Sequence, residues 1–460
     1  MASTRLTRSI TGSNSYKATF SAWLKLSGNA DKAIFTSIPD GSNNFRIHIT
    51  GTNQLQLKDY QSSSTVALLL TTQVFRDPGA FYHIVVSIDT SLGTADDRAK
   101  IYVNGTQVTS FASRTNYPVN NVPVINKTGT HEIGAVASGD YFDGLMSYMA
   151  VVDGTTYDAT SFGETNAATG IWKFKSPTGL TYGTNGFFLK MDTSSPGADS
   201  SGEGNTFSPS GTPTLAQDNA SNNLATGNSL YFTNSSWTTS LTNGNNTFTG
   251  HTGTNSYPTL ASTIAMPSSG KWYTEFKQTS SSPNYYLGVT TPTNMLFTSR
   301  QALYPNYDSE GTTGDNAYSV YGSNFEKYIK ENGGTNSSSS YGATVTTSQN
   351  DIMSIACDLD NNNLYFAING VWHNSGDPES GSTGTGAISI LNDEYLFFMG
   401  DGGGSADASG AANFGNGFFG VTAVTTSPAK TDGSGHGKFQ YTVPTGYYTL
   451  NTKNLNTYGG

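Results

Sequence analysis

The 460-residue chain has one cysteine, Cys357, so no internal disulfide can form and no cysteine pair can hold zinc. Set within the apolar run Met353 to Leu359, that thiol reads as a small core hydrophobe and not as a nucleophile. A large β-rich chain without a disulfide framework points to folding in a reducing cytoplasm. Charge is scarce as well, at 12 % of residues, and its balance is a formal −10. An acidic surface repels phosphate backbones, which argues against nucleic acid as a partner. Long apolar runs are missing: the longest aliphatic cluster, Val66 to Leu70, is far too short to span a bilayer, so no membrane insertion is expected. Met1 to Tyr16 has two arginines but no apolar segment and no small-residue cleavage site, and does not read as a secretory signal. No stretch rich in Ala, Leu, Glu and Lys repeats over three helical turns.

What is present points to strands. Aromatics reach 12 % and glycines number 52, a mixture that suits many short strands joined by tight turns and is too apolar for disorder. At this length two domains are expected. The stretch from Asp351 to Asn374 shows the grammar. Ile352 to Cys357 and Leu364 to Ile368 are apolar runs of strand length, separated by the Asp/Asn turn Asp358 to Asn363. Asn369-Gly370, a strong hairpin signal, then turns the chain before Val371-Trp372. The first half repeats this pattern from Tyr82 to Asp89, through Asp96-Asp97, to Lys100–Val103 and Asn104-Gly105. Alternation from Thr19 to Leu26 puts Phe20, Ala22, Leu24 and Leu26 on one face and Trp23 on the other. In the run from Tyr82, Ile84, Val86 and Ile88 point inward and His83 points away.

Trp23, the hairpin from Tyr82-His83-Ile84-Val85 to Tyr102-Val103-Asn104-Gly105, and the strand opening Phe142-Asp143-Gly144 resemble a laminin-G-like domain of the concanavalin A-like lectin/glucanase superfamily. Ser161-Phe162-Gly163-Glu164-Thr165, Gly170-Ile171-Trp172-Lys173, Tyr182-Gly183-Thr184-Asn185-Gly186-Phe187-Phe188-Leu189 and Asp199-Ser200-Ser201-Gly202 are similar to a run in structural proteins of marine bacteriophages. Further on, Gly270-Lys271-Trp272-Tyr273-Thr274-Glu275-Phe276, Tyr285-Tyr286-Leu287-Gly288-Val289, the Asp351 to Gly370 hairpin and Ala412-Asn413-Phe414-Gly415-Asn416-Gly417-Phe418 resemble, in order, the blocks of a SPRY domain. The closing stretch Gly437 to Leu455 is similar to the ending of such phage proteins.

The fold expected is all-β: two jelly-roll-like antiparallel β-sandwiches in tandem, joined by a Gly/Ser/Thr-rich linker. Residues 1–195 would form the laminin-G-like sandwich, 196–228 the linker, 229–424 the SPRY-like sandwich, and 425–460 a final strand and extended tail.

Chemistry is hard to find. A glucanase needs paired carboxylates, which on one strand means acidic residues at even spacing. Glu132, Glu164 and Glu203 are isolated, and Glu275, Glu310, Glu326, Glu331, Glu379 and Glu394 are scattered. The histidines His48, His83, His131, His251, His373 and His436 show no metal-ligand spacing. No nucleophile elbow, phosphate loop or dinucleotide fingerprint is present. Asp358-x-Asp360-x-Asn362 begins like a calcium loop, but Asn363 and Asn369 replace the required Gly and Glu, so it reads as a turn. No cofactor is called for. The resemblance to laminin-G-like domains implies calcium on a sandwich rim as the one candidate, with Asp140 and Asp143 as its ligands.

Aromatic side chains are the better lead. Tyr304, Tyr307 and Asp308, with Tyr318 and Tyr321, lie in a stretch with little strand alternation, where tyrosines could stack on sugar rings or simply cover the sandwich ends. The resemblance implies a non-enzymatic phage virion surface protein, such as a head decoration, head fibre or tail appendage. It would be assembled in the host cytoplasm and exposed on the virion. Its partners would be other virion proteins, further copies of itself, and a host surface glycan or protein. The alternatives are a purely architectural virion protein and a polysaccharide-degrading enzyme.

Overall fold

The computed structural model describes residues 4–459 apart from 29–30, 138, 168, 192–194, 231–239, 251–258, 294–314, 335–336, 403–406 and 427–429. The chain divides into two bodies, residues 1–215 with 219–221 and residues 216–218 with 222–460. The fold is all-β, each body carrying two large sheets; the one α-helix among the described residues is Thr452–Tyr458.

In the first body the larger sheet has eight strands among the described residues. Their spatial order is Phe111–Thr115, Ser64–Val74, Gln54–Gln61, Asn43–Ile49, Lys32–Asp40, Gly129–Ile133, Arg5–Ile10 and Ser208–Ser210. The smaller sheet runs Phe187–Leu189, Gly144–Asp153, Lys17–Leu26, Tyr82–Asp89, Ala99–Val103 and Thr106–Gln107. The two-residue alternation in the sequence sets the core. Phe20, Ile84 and Val86 from the smaller sheet meet Phe35, Ile47 and Leu57 from the larger. Each such buried side chain contributes about 1.5–3 kcal/mol. The Asn104-Gly105 turn has φ of 46° and 81°, the paired left-handed conformation that fits a two-residue hairpin.

The other face of the smaller sheet is covered too. A hairpin of Gly163–Thr165 and Trp172–Phe174 lies over it, with Phe162, Tyr182 and Phe188 packed on Val85, Ala150 and Val152. This explains the glycines of two of the motifs. A Cβ on Gly105 would lie 2.6 Å from the Trp172 ring, and one on Gly163 would lie 2.5 Å from it. Both residues are bare so that the indole can sit between them.

The expected linker is not one. Ser208–Ser210 pairs with Arg5–Thr7 as the sheet's eighth strand, and Phe207 is buried against Phe187 with ring centroids 4.7 Å apart. Residues 196–215 thus belong to the first body, and Leu224 and Ala225 are already buried in the second. Polarity misleads here because this stretch gains its stability from backbone pairing and one aromatic anchor, which no periodicity records.

In the second body the larger sheet contains, in order, Ser240–Thr242, Thr247–Thr249, Gly410–Asn413, Lys271–Gln278, Ile352–Asp358, Asn363–Ile368 and Val371–Trp372. Its partner runs Thr259–Ala261, Leu396–Asp401, Tyr285–Thr290, Ala317–Tyr321, Lys327–Lys330 and Ser337–Ser339. Between them Trp272, Phe276, Ile355, Cys357 and Phe366 pack with Leu287, Val289, Tyr318 and Phe397. Burial pushes the Cys357 thiol up, as befits a core hydrophobe. The two turns of the organising stretch form as read, with Asn362 at φ 59° and Asn369-Gly370 at 51° and 82°.

The closing segment is an integral layer. Tyr448–Thr449 pairs in parallel with Trp272–Tyr273, while Phe439 and Tyr447 are buried on the outer face of the larger sheet beside Tyr273 and Tyr365. The chain then ends in a helix where an extended tail was expected. Asn451 caps it, its side-chain oxygen accepting from the Asn454 N–H at 2.9 Å.

Candidate functional site

Among the described residues, one histidine arrangement, in the first body, resembles catalytic machinery. His83 is fully buried, with Nε2 2.9 Å from the Ser21 hydroxyl. Its other nitrogen, Nδ1, lies 3.0 Å from the Trp172 indole nitrogen. An indole N–H can only donate, so Nδ1 is the acceptor and the ring proton sits on Nε2, directed at Ser21. A serine facing an imidazole N–H cannot lose its proton to that nitrogen. Trp23 stacks on the imidazole at 4.5 Å between centroids and Trp172 at 6.0 Å. Burial depresses the His83 pKa to about 3. The group is a structural rivet.

The residues nominated from sequence fare differently from one another. Tyr304, Tyr307 and Asp308 lie outside the described residues. Tyr318 and Tyr321 are on a strand, Ala317–Tyr321, and not on a loop. Tyr318 points into the core, fully buried, its hydroxyl donating to Glu331 at 2.8 Å and accepting from the Leu391 N–H at 2.9 Å. It has no face to offer a ligand. Tyr321 points the opposite way, half-buried against Tyr286 and Tyr328, and its hydroxyl donates to the Asn284 side chain.

Asp140 and Asp143 do not assemble a metal site: among the described residues no cluster of three His, Cys, Asp or Glu has suitable geometry. The Asp143 carboxylate acts instead on Lys32, whose ammonium donates to the Gly28 carbonyl. Asp358 and Asp360 are turn residues, as expected. Asp358 pairs with Lys271 at 2.9 Å and Asp360 accepts from the Gly270 N–H at 2.7 Å.

Among the described residues, a groove of about 370 Å³ lies on the second body. Its floor is Tyr273, Ser354 and Ala367 on the larger sheet. Trp372, half-buried and edge-on to Tyr365, also lines it, as do Tyr441, Thr442 and Pro444 of the closing segment. Asp377 and Glu379, both exposed, stand at the groove with Pro378 between them. Tyr441 owes its place to the hairpin. A Cβ on Gly370 would lie 2.6 Å from its ring, so the aromatic rests on the bare glycine of the Asn369-Gly370 turn.

Beneath the groove, one carboxylate fastens the closing segment to the sheet. Glu275 is fully buried, and its Oε1 accepts from the Tyr273 hydroxyl at 3.0 Å and the Tyr441 N–H at 2.8 Å. Oε2 accepts from the Gln440 N–H at 2.9 Å and the Asn413 amide at 3.2 Å. With Tyr273 donating to Glu275, the Ser354 hydroxyl 2.9 Å away donates to Tyr273 in turn. Burial raises the Glu275 pKa to about 7, against the pull of its four donors. Thr445 N–H adds a bond to Glu379 at 2.7 Å, and Tyr447 one to the Pro378 carbonyl at 3.0 Å.

Sequence reading did not find this site. Trp372 and Tyr441 stand in stretches singled out for their turns and ending, and no spacing rule unites two aromatics brought together by a chain that returns across a sheet.

Residues 3–159 match a laminin G-type family described as the concanavalin A-like lectin/glucanases superfamily. No curated protein sequence matches the chain. Among solved structures, the LG4-5 domains of the mouse laminin alpha1 chain are similar at 8% identity, covering 89% of this chain and 84% of that one with a TM-score of 0.29. The SPRY domain of human HERC1 is similar at 12% identity over 36% of this chain and 87% of its own, with a TM-score of 0.25. The CBM40 domain of the Ruminococcus gnavus IT-sialidase, solved bound to alpha2,3 sialyllactose, is similar at 11% identity over 35% of this chain and 96% of its own, with a TM-score of 0.26. Likenesses this distant carry no functional reading.

Proposed function

We propose that this chain is a non-enzymatic glycan-binding protein of a virion exterior, and that its second body holds a saccharide in the groove between Trp372 and Tyr441. The observation that carries the reading is that two aromatic side chains, Trp372 and Tyr441, line one groove with the exposed carboxylates of Asp377 and Glu379. Sugar rings present apolar C–H faces to such rings and hydroxyls to such carboxylates. The family match of residues 3–159 supports a lectin-like role for the first body.

A binding role fits the carboxylates better than hydrolysis does. Glycosidases need one free acid and one free base across the bond they cleave. Glu275, the buried carboxylate beneath the groove, has each oxygen taken by two donors, so it is not free to serve as acid or base. Placement on a phage virion rests on the resemblance of the Ser161–Thr165, Gly170–Lys173 and Asp199–Gly202 blocks to phage structural proteins. There the chain would pack with other virion proteins and with its own copies, and many weak sites would act together.

The test is calorimetric titration of the full chain with a panel of neutral oligosaccharides, repeated on Trp372→Ala and Tyr441→Ala. A member of the panel is expected to bind, with affinity falling about tenfold or more in each variant. Release of reducing ends would overturn the non-enzymatic part. Binding that both variants retain would move the site elsewhere, and no binding across the panel would sink the groove. Mass spectrometry of particles from the source then decides the virion placement.

A further inference from the structure

The larger sheet of the first body carries an unusual pairing. Arg46 on Asn43–Ile49 and Lys58 on Gln54–Gln61 are direct cross-strand partners. Directly opposite residues on one face have Cβ atoms about 4.5–5.5 Å apart, and like charges so placed destabilise the sheet. Neither side chain forms an ion pair among the described residues. Arg46 reaches only the neutral side chain of Asn44, at 3.1 Å, and the Lys58 ammonium lies 5.4 Å from the centre of the Tyr60 ring. Asp59, next in sequence to Lys58, points to the core and accepts from the Tyr117 hydroxyl and the Val124 N–H, so it neutralises neither cation.

Their surroundings are sheltered and mixed, with half-buried Leu68 opposite Lys58 and Leu70 opposite Gln56 on the next strand. On these two strands Phe45, Ile47, Ile49, Leu55 and Leu57 are buried inward, leaving Asn44, Arg46, His48, Gln56, Lys58 and Tyr60 on the outer face. These six pair as Asn44 with Tyr60, Arg46 with Lys58 and His48 with Gln56, and all six are half-buried. His48 leaves Nδ1 buried and without a partner. Burial lowers the pKa of this imidazole, the Asp31 and Asp140 charges pull it back up, and the Arg46 and Lys58 charges push it down further. The face thus offers two adjacent cations, two amides, an imidazole and an aromatic ring, bordered by two leucines.

We propose that this face binds an acidic saccharide, with a ring carboxylate or sulfate bridging Arg46 and Lys58. One oxyanion between the two heads removes their repulsion and satisfies both, and an Arg fork accepts either anion in two-point contact. Amides and a tyrosine beside the anion suit sugar hydroxyls and ring faces. An extended polynucleotide fits less well, since the chain's net charge of −10 opposes a run of phosphates. This site is on the other body from the groove and does not depend on it.

The experiment is calorimetry of the full chain with a galacturonate oligomer, a sulfated galactan oligomer, a neutral galactan oligomer and single-stranded DNA. It is repeated on Arg46→Gln, Lys58→Gln and Arg46→Lys. An acidic oligomer is expected to bind more tightly than the neutral one, and the galacturonate and galactan arms tell carboxylate from sulfate. Each Gln variant should lose about tenfold or more in affinity while melting at or above the wild-type temperature, because a repulsion has been removed. Arg46→Lys, which keeps the charge but loses the two-point fork, should bind more weakly than wild type and more tightly than Arg46→Gln. The proposal is overturned if acidic oligomers bind no better than the neutral one, if the Gln variants bind them undiminished, or if DNA binds most tightly.

Discussion

The Trp172 indole donates to Nδ1 of His83 across 3.0 Å, and that one contact decides the chemistry of the most suggestive pair in the first body. With Nδ1 engaged as acceptor, His83 carries its proton on Nε2 and turns it toward Ser21. The expected outcome is an imidazole fixed in the Nε2–H tautomer that stays neutral until about pH 3, read by nitrogen chemical shifts across a titration. The sign follows from linkage. The unfolded histidine takes a proton near 6.5 and the folded one near 3, so this group's contribution to stability is full above 6.5 and is lost as pH falls toward 3. A His83 that titrates near its ordinary value would show that the ring is not held as described. Trp172→Phe, which removes the donor and keeps the ring, should cost about 1–3 kcal/mol in denaturant unfolding.

Glu275 slopes the other way. Its folded pKa is raised to about 7 from 4.5, so its contribution to stability is full below 4.5 and is lost as pH rises through about 7. Glu275→Gln should remove that dependence. The amide keeps one acceptor oxygen and turns an NH₂ toward donors, so it should also cost about 1–3 kcal/mol and loosen the closing segment. Hydrogen exchange at the Gln440 and Tyr441 amides is the direct readout. Exchange at those two positions unchanged by the substitution would refute the carboxylate's role as the fastening.

Much of the architecture was legible, and for a physical reason. Side-chain period and Asn-Gly turns are local properties, so the strands around Phe20, Ile84 and Ile355 and the turns at Asn104-Gly105 and Asn369-Gly370 could be read directly. What failed depended on distant contacts. Polar residues 196–215 looked like a linker because their partners, Arg5–Thr7 and Phe187, lie far back in the chain. Tyr318 looked like a loop tyrosine because its strand, Ala317–Tyr321, is short and its alternation is brief. Trp172 carried a family resemblance whose cause, a seat of two glycines and a histidine, is visible only in space.

The boundary of the first body is testable by truncation. A chain ending at residue 215 should fold and melt cooperatively, whereas one ending at 195 loses Phe207 and the strand Ser208–Ser210 and leaves Arg5–Ile10 as a bare edge. Phe207→Ala alone should cost about 3–5 kcal/mol, since the ring is buried among core aromatics. Equal melting temperatures for the two truncations would return residues 196–215 to the status of a linker.

Gly370 joins fold and site most tightly, and Gly370→Ala tests the join. The residue has φ of 82°, where a side chain costs about 1–2 kcal/mol, and the new methyl would stand 2.6 Å from the Tyr441 ring. The hairpin itself should survive, because the pairing from Met353 with Ile368 to Asp358 with Asn363 anchors it. Tyr441 must then shift off its seat and open that side of the groove. The expected result is a protein slightly less stable, with native exchange protection in Ile352–Asp358, whose affinity for whatever oligosaccharide the groove binds falls about tenfold. Lost stability with full affinity would mean that Tyr441 contributes nothing to binding and that Trp372 acts alone. Full stability with full affinity would mean that the ring does not rest on Gly370 at all.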